Sequence, residues 1–400
     1  VITTPPPDWR ETTVRRVLRL LDRPARSGLG VITAYRDGAV TLRSKRRQDG
    51  YTFSDTENGY QEIRPGDLVF HALDGFAGAV GVSDSHGNGS PVYHVCEPVS
   101  GDDPAYLARL LRHLGTSGFL TTQAPNVRER SVDFRNWSTF ARIPLILPPA
   151  DEQRSIADYL DRETARIDTL IEEQQQLIEM LRERRAAAAV DAFASMSDDG
   201  EGLGDACEPI PWLPELRVKR VQMRHVCTIG TGSSDSADAV DEGYPFFVRG
   251  DQPLKLDHYE FDTEAIITAG DGAMVGRSFH HCRGKFAAHQ RVYVLRDFKG
   301  IFPRYLFWYF STFFIRVVGD GGAQATVPSV RRPMIAGMPV PMPALDEQRR
   351  IAAFLDEQTT KIDVLIAETE QFIELARERR SALITAAVTG QIDVRGGRDG

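Results

Sequence analysis

Cysteine is scarce in this chain of 400 residues, and the four present, Cys96, Cys207, Cys227 and Cys282, are scattered. No two stand at the two-residue spacing that zinc and thiol-redox motifs use, which argues against a disulfide framework and for reduced thiols in the cytoplasm. Long hydrophobic runs are missing as well. The start, VITTPPPDWRETTVRR, has no apolar signal-peptide core, and the most apolar stretch, Tyr305 to Ile315, is 11 residues and rich in aromatics. That is too short to span a bilayer. There is no phosphate-cradling Gly-Lys-Ser/Thr loop, so ATP-driven work is not carried here. His280, His281 and Cys282 are adjacent, but without a second paired cluster they do not make a metal site.

What is present is the composition of a folded globular protein, 42% hydrophobic and 26% charged, which excludes wholesale disorder and fibrous repeats. The length points to two to four domains at ~100 to 200 residues each. The net charge of −8 is unevenly placed. Residues 1 to 150 carry 18 basic against 16 acidic side chains, and residues 212 to 345 carry 16 against 13. Residues 151 to 211 carry 6 against 16, and residues 346 to 400 carry 8 against 11. Two mildly basic regions therefore alternate with two acidic ones.

The acidic regions contain an internal repeat. Residues 151 to 187, DEQRSIADYLDRETARIDTLIEEQQQLIEMLRERRAA, align without a gap to residues 346 to 382, DEQRRIAAFLDEQTTKIDVLIAETEQFIELARERRSA, at an offset of 195. More than half the positions are identical, including Gln153/Gln348, Thr164/Thr359 and the Arg-Glu-Arg-Arg blocks at 182 to 185 and 377 to 380. Shared helical composition does not explain this; duplication does. Each copy follows a Pro-rich approach, Ile143 to Pro149 and Met338 to Pro343, with Asp151 and Asp346 as N-caps or first-turn acids. Apolar residues recur at Ile156, Leu160, Ile167, Leu170, Ile171, Leu177, Ile178 and Leu181, and in the second copy at Ile351, Leu355, Ile362, Leu365, Ile366, Phe372, Ile373 and Leu375. This three-four alternation predicts a long amphipathic helix in each copy, roughly 60 Å at ~1.5 Å per residue. Two such helices in one chain are expected to pair antiparallel, as a coiled coil with pseudo-two-fold symmetry.

The intervening regions read as compact α+β domains. Short β-type runs occur at Gly30 to Ala34, Ala39 to Leu42, Asp67 to His71, Ala77 to Val82 and Val92 to Val95. In the second half they occur at Phe246 to Val248, Ala273 to Val275 and Arg291 to Leu295, followed by an aromatic helix from Pro303 to Val318. Related blocks open each half, VRRV at 14 to 17 and VKRV at 218 to 221, and a polar, acidic, Gly-bearing segment between the halves reads as a tether. The expected order is a domain at 1–150, a helix at 151–195, a linker at 196–211, a second domain at 212–345, a second helix at 346–390 and a tail at 391–400.

At YRDG (Tyr35 to Gly38), at GDLVFHALDGFAGAVGVSDSHGNGSPVY (Gly66 to Tyr93) and at the two DEQR-led helices, the chain resembles the specificity (S) subunits of type I restriction-modification systems. GDGAMVG at 270 to 276 and GGAQATVP at 321 to 328, before the PMPALDEQRRI approach, look like that family's second recognition domain. The resemblance implies two target-recognition domains, each reading half of a bipartite DNA site, held apart by the paired helices. It also implies partners: two adenine-N6 methyltransferase subunits and motor-nuclease subunits, which would carry S-adenosylmethionine, ATP and Mg. The chain itself is then no enzyme. If the helices are the ruler, one added turn in both, ~5.4 Å, lengthens the unread gap by about one to two base pairs at ~3.4 Å each.

Arg and Lys suit guanine edges and phosphates, and Asn and Gln suit adenine. The densest candidate cluster is TLRSKRRQDGY, giving Arg43, Lys45, Arg46, Arg47, Gln48 and Tyr51, with Arg128 and Arg130 further on. In the second half Arg249, Arg277, Arg283, Lys285, His289, Gln290 and Arg291 lie near Gly-rich turns, and Gln324 joins them. Two other readings stay open. One is the recognition part of a self-contained methyltransferase-nuclease, although adenine methylation needs a cofactor-binding Gly loop and an Asn/Asp-Pro-Pro-aromatic element, and neither is evident. The other is a non-enzymatic coiled-coil scaffold that binds DNA without sequence preference.

Overall fold

The computed structural model describes residues 6–46, 59–99, 101–124, 127–128, 131–196, 210–216, 218–319 and 329–394, with only the backbone at 127, 128 and 131. The chain divides into two compact units, Val1–Gln174 with Gln371–Gly400, and Gln175–Glu370. The division falls inside two long helices, Ala150–Ala194 and Leu345–Val388, so each unit combines sheets with part of both.

In the first unit, strand Arg10–Thr13 pairs antiparallel with Pro144–Leu147, and the short helix Val14–Val17 follows with both valines buried. An antiparallel sheet runs in the order Leu18–Leu20, Tyr93–Pro98, Leu68–His71, Val80–Val82. A second sheet runs Val40–Leu42, Val31–Ala34, Gly87–Gly89, Gln61–Ile63. The helix Pro104–Thr116 begins with proline in its first turn and Asp103 as its cap, the carboxylate accepting from Tyr106 N at 2.8 Å. It lies tight against the Gly66 to Tyr93 block. A Cβ on Gly115 would stand 2.4 Å from the Gly75 carbonyl oxygen, and one on Gly81 would stand 2.0 Å from that of Gly38. Gly81 of that block, like Gly78 and Gly87, is thus set by close approach of another backbone carbonyl.

The second unit begins in the same way. Arg220–Gln222 pairs antiparallel with Pro339–Pro341, and the short helix Met223–Val226 follows with Met223 and Val226 buried. Its six-stranded sheet runs Thr228–Thr231, Val292–Arg296, Phe261–Ala269, Phe279–Ala288, Tyr244–Phe247, Leu254–Leu256. The aromatic helix Pro303–Gly319 covers it, burying Tyr305, Tyr309, Phe310, Phe313 and Phe314 among Phe193, Ile266 and Leu295.

Several sequence expectations are corrected here. The Pro-rich approaches are strands that close each unit; Asp151 and Asp346, expected as N-caps or first-turn acids, are the latter. VRRV is a helix, whereas VKRV runs into a strand; the residues that occupy the VRRV position are Met223 to Val226, which share its apolar i, i+3 spacing. Ala273 to Val275 forms a turn between Gly272 and Gly276, both at positive φ, and Val275 reads as β-type because it is buried. The ends of the supposed tether are docked, with Met196, Ile210 and Leu213 in the second unit's core; residues 197–209 lie outside the described residues.

The repeated helix residues do the same work in each unit. Gln153 is fully buried; its amide nitrogen donates to Asp102 and to the Pro148 carbonyl, and its oxygen accepts from Asp103 N at 2.9 Å. Gln348, buried likewise, donates to the Pro343 carbonyl and accepts from Phe302 N at 2.8 Å. Each glutamine therefore ties the start of its helix to the start of the helix packed beside it. Asp161 binds Arg109 on helix Pro104–Thr116, and Asp356 binds Arg304 at 2.7 Å and Trp308 Nε1 at 2.8 Å on helix Pro303–Gly319. The buried stripe is narrower than expected. Ile156, Leu160, Ile167, Ile171 and Ile178 are buried at alternating steps of four and seven, as are Ile351, Leu355, Ile362, Thr369 and Ile373 at steps of four and seven. Leu170, Leu177, Leu365, Phe372 and Leu375 fall outside it and are exposed.

Candidate nucleic-acid interface

Strand Val40–Leu42 of the first unit ends in the 3-10 turn Arg43–Lys45, which carries the head of the basic cluster to the surface. Lys45 donates to Ser85 Oγ at 2.8 Å and faces Asp84 at 3.5 Å. Arg46 pairs with Asp37 of YRDG at 2.6 Å and lies over the Tyr35 ring, 4.4 Å from its centre. Arg43 is half-buried at the same turn. Arg47, Gln48, Tyr51 and Arg130, and the side chain of Arg128, lie outside the described residues.

On the opposite edge strand of the same sheet stands a cluster that the sequence reading missed. Glu62, on strand Gln61–Ile63, is buried and collects Arg26 at 3.0 Å, Arg64 at 3.0 Å and His86 at 2.8 Å. Hydrogen bonds from Arg64 and His86 draw the Glu62 carboxyl down to about 2. Ser85, the partner of Lys45, directly precedes His86 in the chain. Arg26 and His86 stand 36 residues before and 24 residues after Glu62 along the chain, and no local pattern announces them; the fold assembles them.

In the second unit the structure brings together four of the expected residues, Arg249, His289, Gln290 and Arg291. Asp271 takes Arg249 on one oxygen at 3.2 Å and Arg291 on the other at 2.7 Å, and the two guanidinium groups hold its carboxyl below the usual range against the opposing effect of burial. Gln290 donates to Asp235 at 3.1 Å. His289 is buried; its Nδ1 accepts from Arg291 N at 3.0 Å, and burial lowers its pKa, with Arg249 adding to the shift. The ring is neutral and braces the turn that carries Arg291. The remaining candidates lie apart from this cluster. Arg283 pairs with Glu264 at 3.0 Å, Lys285 lies 4.5 Å from the centre of the Tyr259 ring, and Arg277 is exposed, with no side-chain partner among the described residues. Gln324 lies outside the described residues.

The other chemistry-bearing groups are absorbed by the fold. His281 bonds Glu264 at 3.1 Å within the sheet. Burial pushes the Cys227 and Cys282 thiols up to about 12 and that of Cys96 higher still, which makes poor nucleophiles of all three. Among the described residues no group of His, Cys, Asp and Glu is arranged to hold a metal, and no helix is long and apolar enough to cross a membrane.

Residues 217–374 match the family described as "Type I restriction modification DNA specificity domain". The chain is 29% identical over 185 residues to the type I restriction enzyme EcoDI specificity subunit of Escherichia coli, covering 46% of this chain and 39% of that protein. It is 28% identical over 187 residues to the StySPI specificity subunit of Salmonella potsdam, covering 45% and 37%. The matched stretch thus spans less than half of the length of these relatives. In fold, the chain is similar to one from work on complex assembly and conformational transition of the type I R-M system, at a TM-score of 0.66 and 17% identity, over 97% of this chain and 100% of the other. It is also similar to the HsdS subunit from Thermoanaerobacter tengcongensis, at 0.52 and 18%, over 97% and 98%. The resemblance to type I specificity subunits drawn from the DEQR helices therefore stands, and the mixed α+β fold agrees with it.

Proposed function

We propose that the chain is the non-catalytic DNA-specificity subunit of a type I restriction-modification complex, reading a bipartite duplex target. Residues 1–150 and 212–345 are its two recognition domains. The helices at 151–195 and 346–390 are the spacer, paired as an antiparallel coiled coil with approximate internal two-fold symmetry, with 196–211 as linker and 391–400 as tail. Two adenine-N6 methyltransferase subunits bind it, and motor-nuclease subunits join for restriction. Those partners carry S-adenosylmethionine, ATP and Mg, and the complex works in the cytoplasm.

The observation that supports this reading best is that duplicated helix residues make duplicated contacts. Asp168 binds Arg380 in the first unit and Asp363 binds Arg185 in the second, so each copy of the repeat supplies the acid to one pair and the base to the other. Such exchange is the signature of a two-fold arrangement. Each unit also presents a carboxylate-anchored group of surface arginines, at Glu62 and at Asp271.

The test is to co-express the chain with the methyltransferase that co-purifies with it in a host free of DNA methylation, and to map N6-methyladenine across the genome. The expected result is a split motif with one methylated adenine in each half, on opposite strands. A stable complex that leaves no motif, together with salt-sensitive binding that ignores sequence, would instead make the chain a scaffold. Methylation by the chain alone would make it an enzyme.

A further inference from the structure

A surface ion pair that only decorates a fold usually leaves both partners in water. The two clusters described above are built differently. The Glu62 side chain is 3% exposed while those of Arg26, Arg64 and His86 are 59%, 49% and 42% exposed. The Asp271 side chain is 17% exposed while those of Arg249 and Arg291 are 48% and 62% exposed. In each unit a carboxylate is sunk below the surface and holds two arginines that stand on it. Each carboxylate carries one negative charge against two guanidinium charges, so each cluster retains net positive charge toward solvent.

The arginines also keep donors in reserve. Arg26 spends Nε on Glu62 and Arg64 spends Nη2. Arg249 and Arg291 each spend Nη1 on Asp271. A guanidinium has five N–H donors in a rigid plane, so one anchored nitrogen fixes that plane: Arg26 keeps its Nη1/Nη2 edge as a fork, Arg249 and Arg291 keep their Nε/Nη2 edge, and Arg64, held through one Nη2 hydrogen, keeps a fork that uses the other. Among the described residues none of these forks is taken up by another side chain. A planar fork of this kind matches O6 and N7 of guanine in the major groove, the commonest base-specific contact made to DNA.

We propose that Glu62 and Asp271 are positioning residues that hold arginine forks for guanine, so that each half of the target contains at least one G·C pair read in the major groove. This rests on the chain being a DNA reader. Glu62 governs the half-site read by the first unit and Asp271 the half-site read by the second. Neither carboxylate touches DNA; each acts by fixing the plane in which its arginines meet a base edge. The Lys45 and Arg46 turn of the same unit supplies phosphate contacts that carry no sequence information.

The experiment uses the full chain in complex with its methyltransferase and selects from a pool of randomised duplexes, for wild type and for Glu62→Gln, Asp271→Asn, Arg64→Lys and Arg249→Lys. The wild type is expected to select a split motif with a guanine in each half. Glu62→Gln and Arg64→Lys relax one guanine position in one half by about 10- to 100-fold and leave the other half unchanged; Asp271→Asn and Arg249→Lys do the same in the other half. The lysine variants keep the charge and lose the fork, so total affinity for DNA falls far less than discrimination does. A uniform loss of affinity with an unaltered motif would overturn the proposal, because it assigns these arginines to phosphates. A half-site motif lacking guanine would overturn it too. Failure of the wild type to select any motif would instead remove the DNA-reading premise. Thermal unfolding of each variant separates these results from misfolding, and if Glu62→Gln unfolds, Arg64→Lys and Arg26→Lys still decide the first half.

Discussion

Arg380 Nε stands 2.8 Å from the Asp168 carboxylate, and the residues 195 positions away from each, Arg185 and Asp363, form the same pair at 3.4 Å. One repeated sequence thus supplies both members of both contacts. A third ion pair, Arg182 with Glu370 at 3.4 Å, follows the same rule within the second unit, since a higher number on one helix meets a lower number on the other. In the second unit these two pairs set the facing stretches in opposite chain sense.

All four side chains of the reciprocal pairs are a third or more exposed, so each pair contributes only about 0.2–1 kcal/mol. The proposed two-fold symmetry makes a sharper claim than the magnitude. Double-mutant cycles for Asp168/Arg380 and Asp363/Arg185, each partner changed to Ala and unfolding followed in urea, are expected to give coupling energies equal within error. Exchanging the charges within one pair, Asp168→Arg with Arg380→Asp, should recover most of what Asp168→Arg alone loses. Coupling in one pair and none in the other would count against the symmetry.

The buried glutamines are worth more. Removing the Gln153 side chain leaves Asp103 N and the Asp102 carboxylate without their amide partner, and removing that of Gln348 leaves Phe302 N unpaired. A buried polar group left unsatisfied costs about 1–3 kcal/mol. Gln153→Ala and Gln348→Ala are each expected to fall in that range by thermal unfolding. Gln153→Glu should be worse than Gln153→Ala, because it places a second carboxylate 2.7 Å from Asp102.

These two residues also show what is legible in a sequence of this kind. The helices, their bounds to within a few residues, and the importance of Gln153 and Gln348 follow from the repeat, because duplicated residues are compared with one another and need no outside reference. The aromatic helix Pro303–Gly319 and most of the short strands follow from local pattern and turn residues. The two longest strands, Phe261–Ala269 and Phe279–Ala288, do not. Phe279–Ala288 spreads His280, His281, Arg283, Gly284 and Lys285 through a segment that is half-buried for seven residues, so alternation is blurred until Phe286. The candidate interface divides in the same way. Arg43, Lys45 and Arg46 are contiguous and easily noticed, and Arg249 and Arg291 are marked by the glycine turns near them. His86 reaches Glu62 and Arg64 because Gly87–Gly89 pairs with Gln61–Ile63, and Arg26 arrives through the Pro24–Gln61 bridge, long-range contacts that no local window contains. The expected stripe on the long helices is too wide because it admits Leu170 and Phe372, while the buried residues recur at steps of four and seven, about 3.67 residues per turn.

The Glu62 cluster has a measurable pH signature. Its carboxyl is drawn from the ordinary 4.5 down to about 2 by hydrogen bonds from Arg64 and His86. A depressed carboxylate contributes stability that is fully present above its unfolded value and is lost as the pH falls through its folded value. The contribution is therefore intact from neutral pH down to about 5 and disappears between roughly 5 and 2. A carboxyl-carbon NMR titration of Glu62 is expected to find its midpoint near 2, and Arg64→Ala should move that midpoint up toward 4.5. A midpoint already at 4.5 in the unaltered chain would dissolve the cluster.

Lys45 and Arg46 should behave unlike the anchored arginines, and the difference lies in their partners. Their carboxylates, Asp84 and Asp37, are themselves more than half exposed. Exposed pairs of that kind are separated at little cost, so either cation is able to leave its acid for a phosphate oxygen. Each phosphate contact releases condensed counterions and adds about 0.9 to the slope of log affinity against log salt. Lys45→Ala and Arg46→Ala are each expected to reduce that slope by about one and to weaken binding to all duplexes alike, with the selected motif unchanged. Asp37→Asn, which frees Arg46 from its acid, should strengthen binding at low salt and leave the motif alone. A change of motif in either alanine variant would move that residue from the backbone to the base edges, next to Arg26 and Arg64.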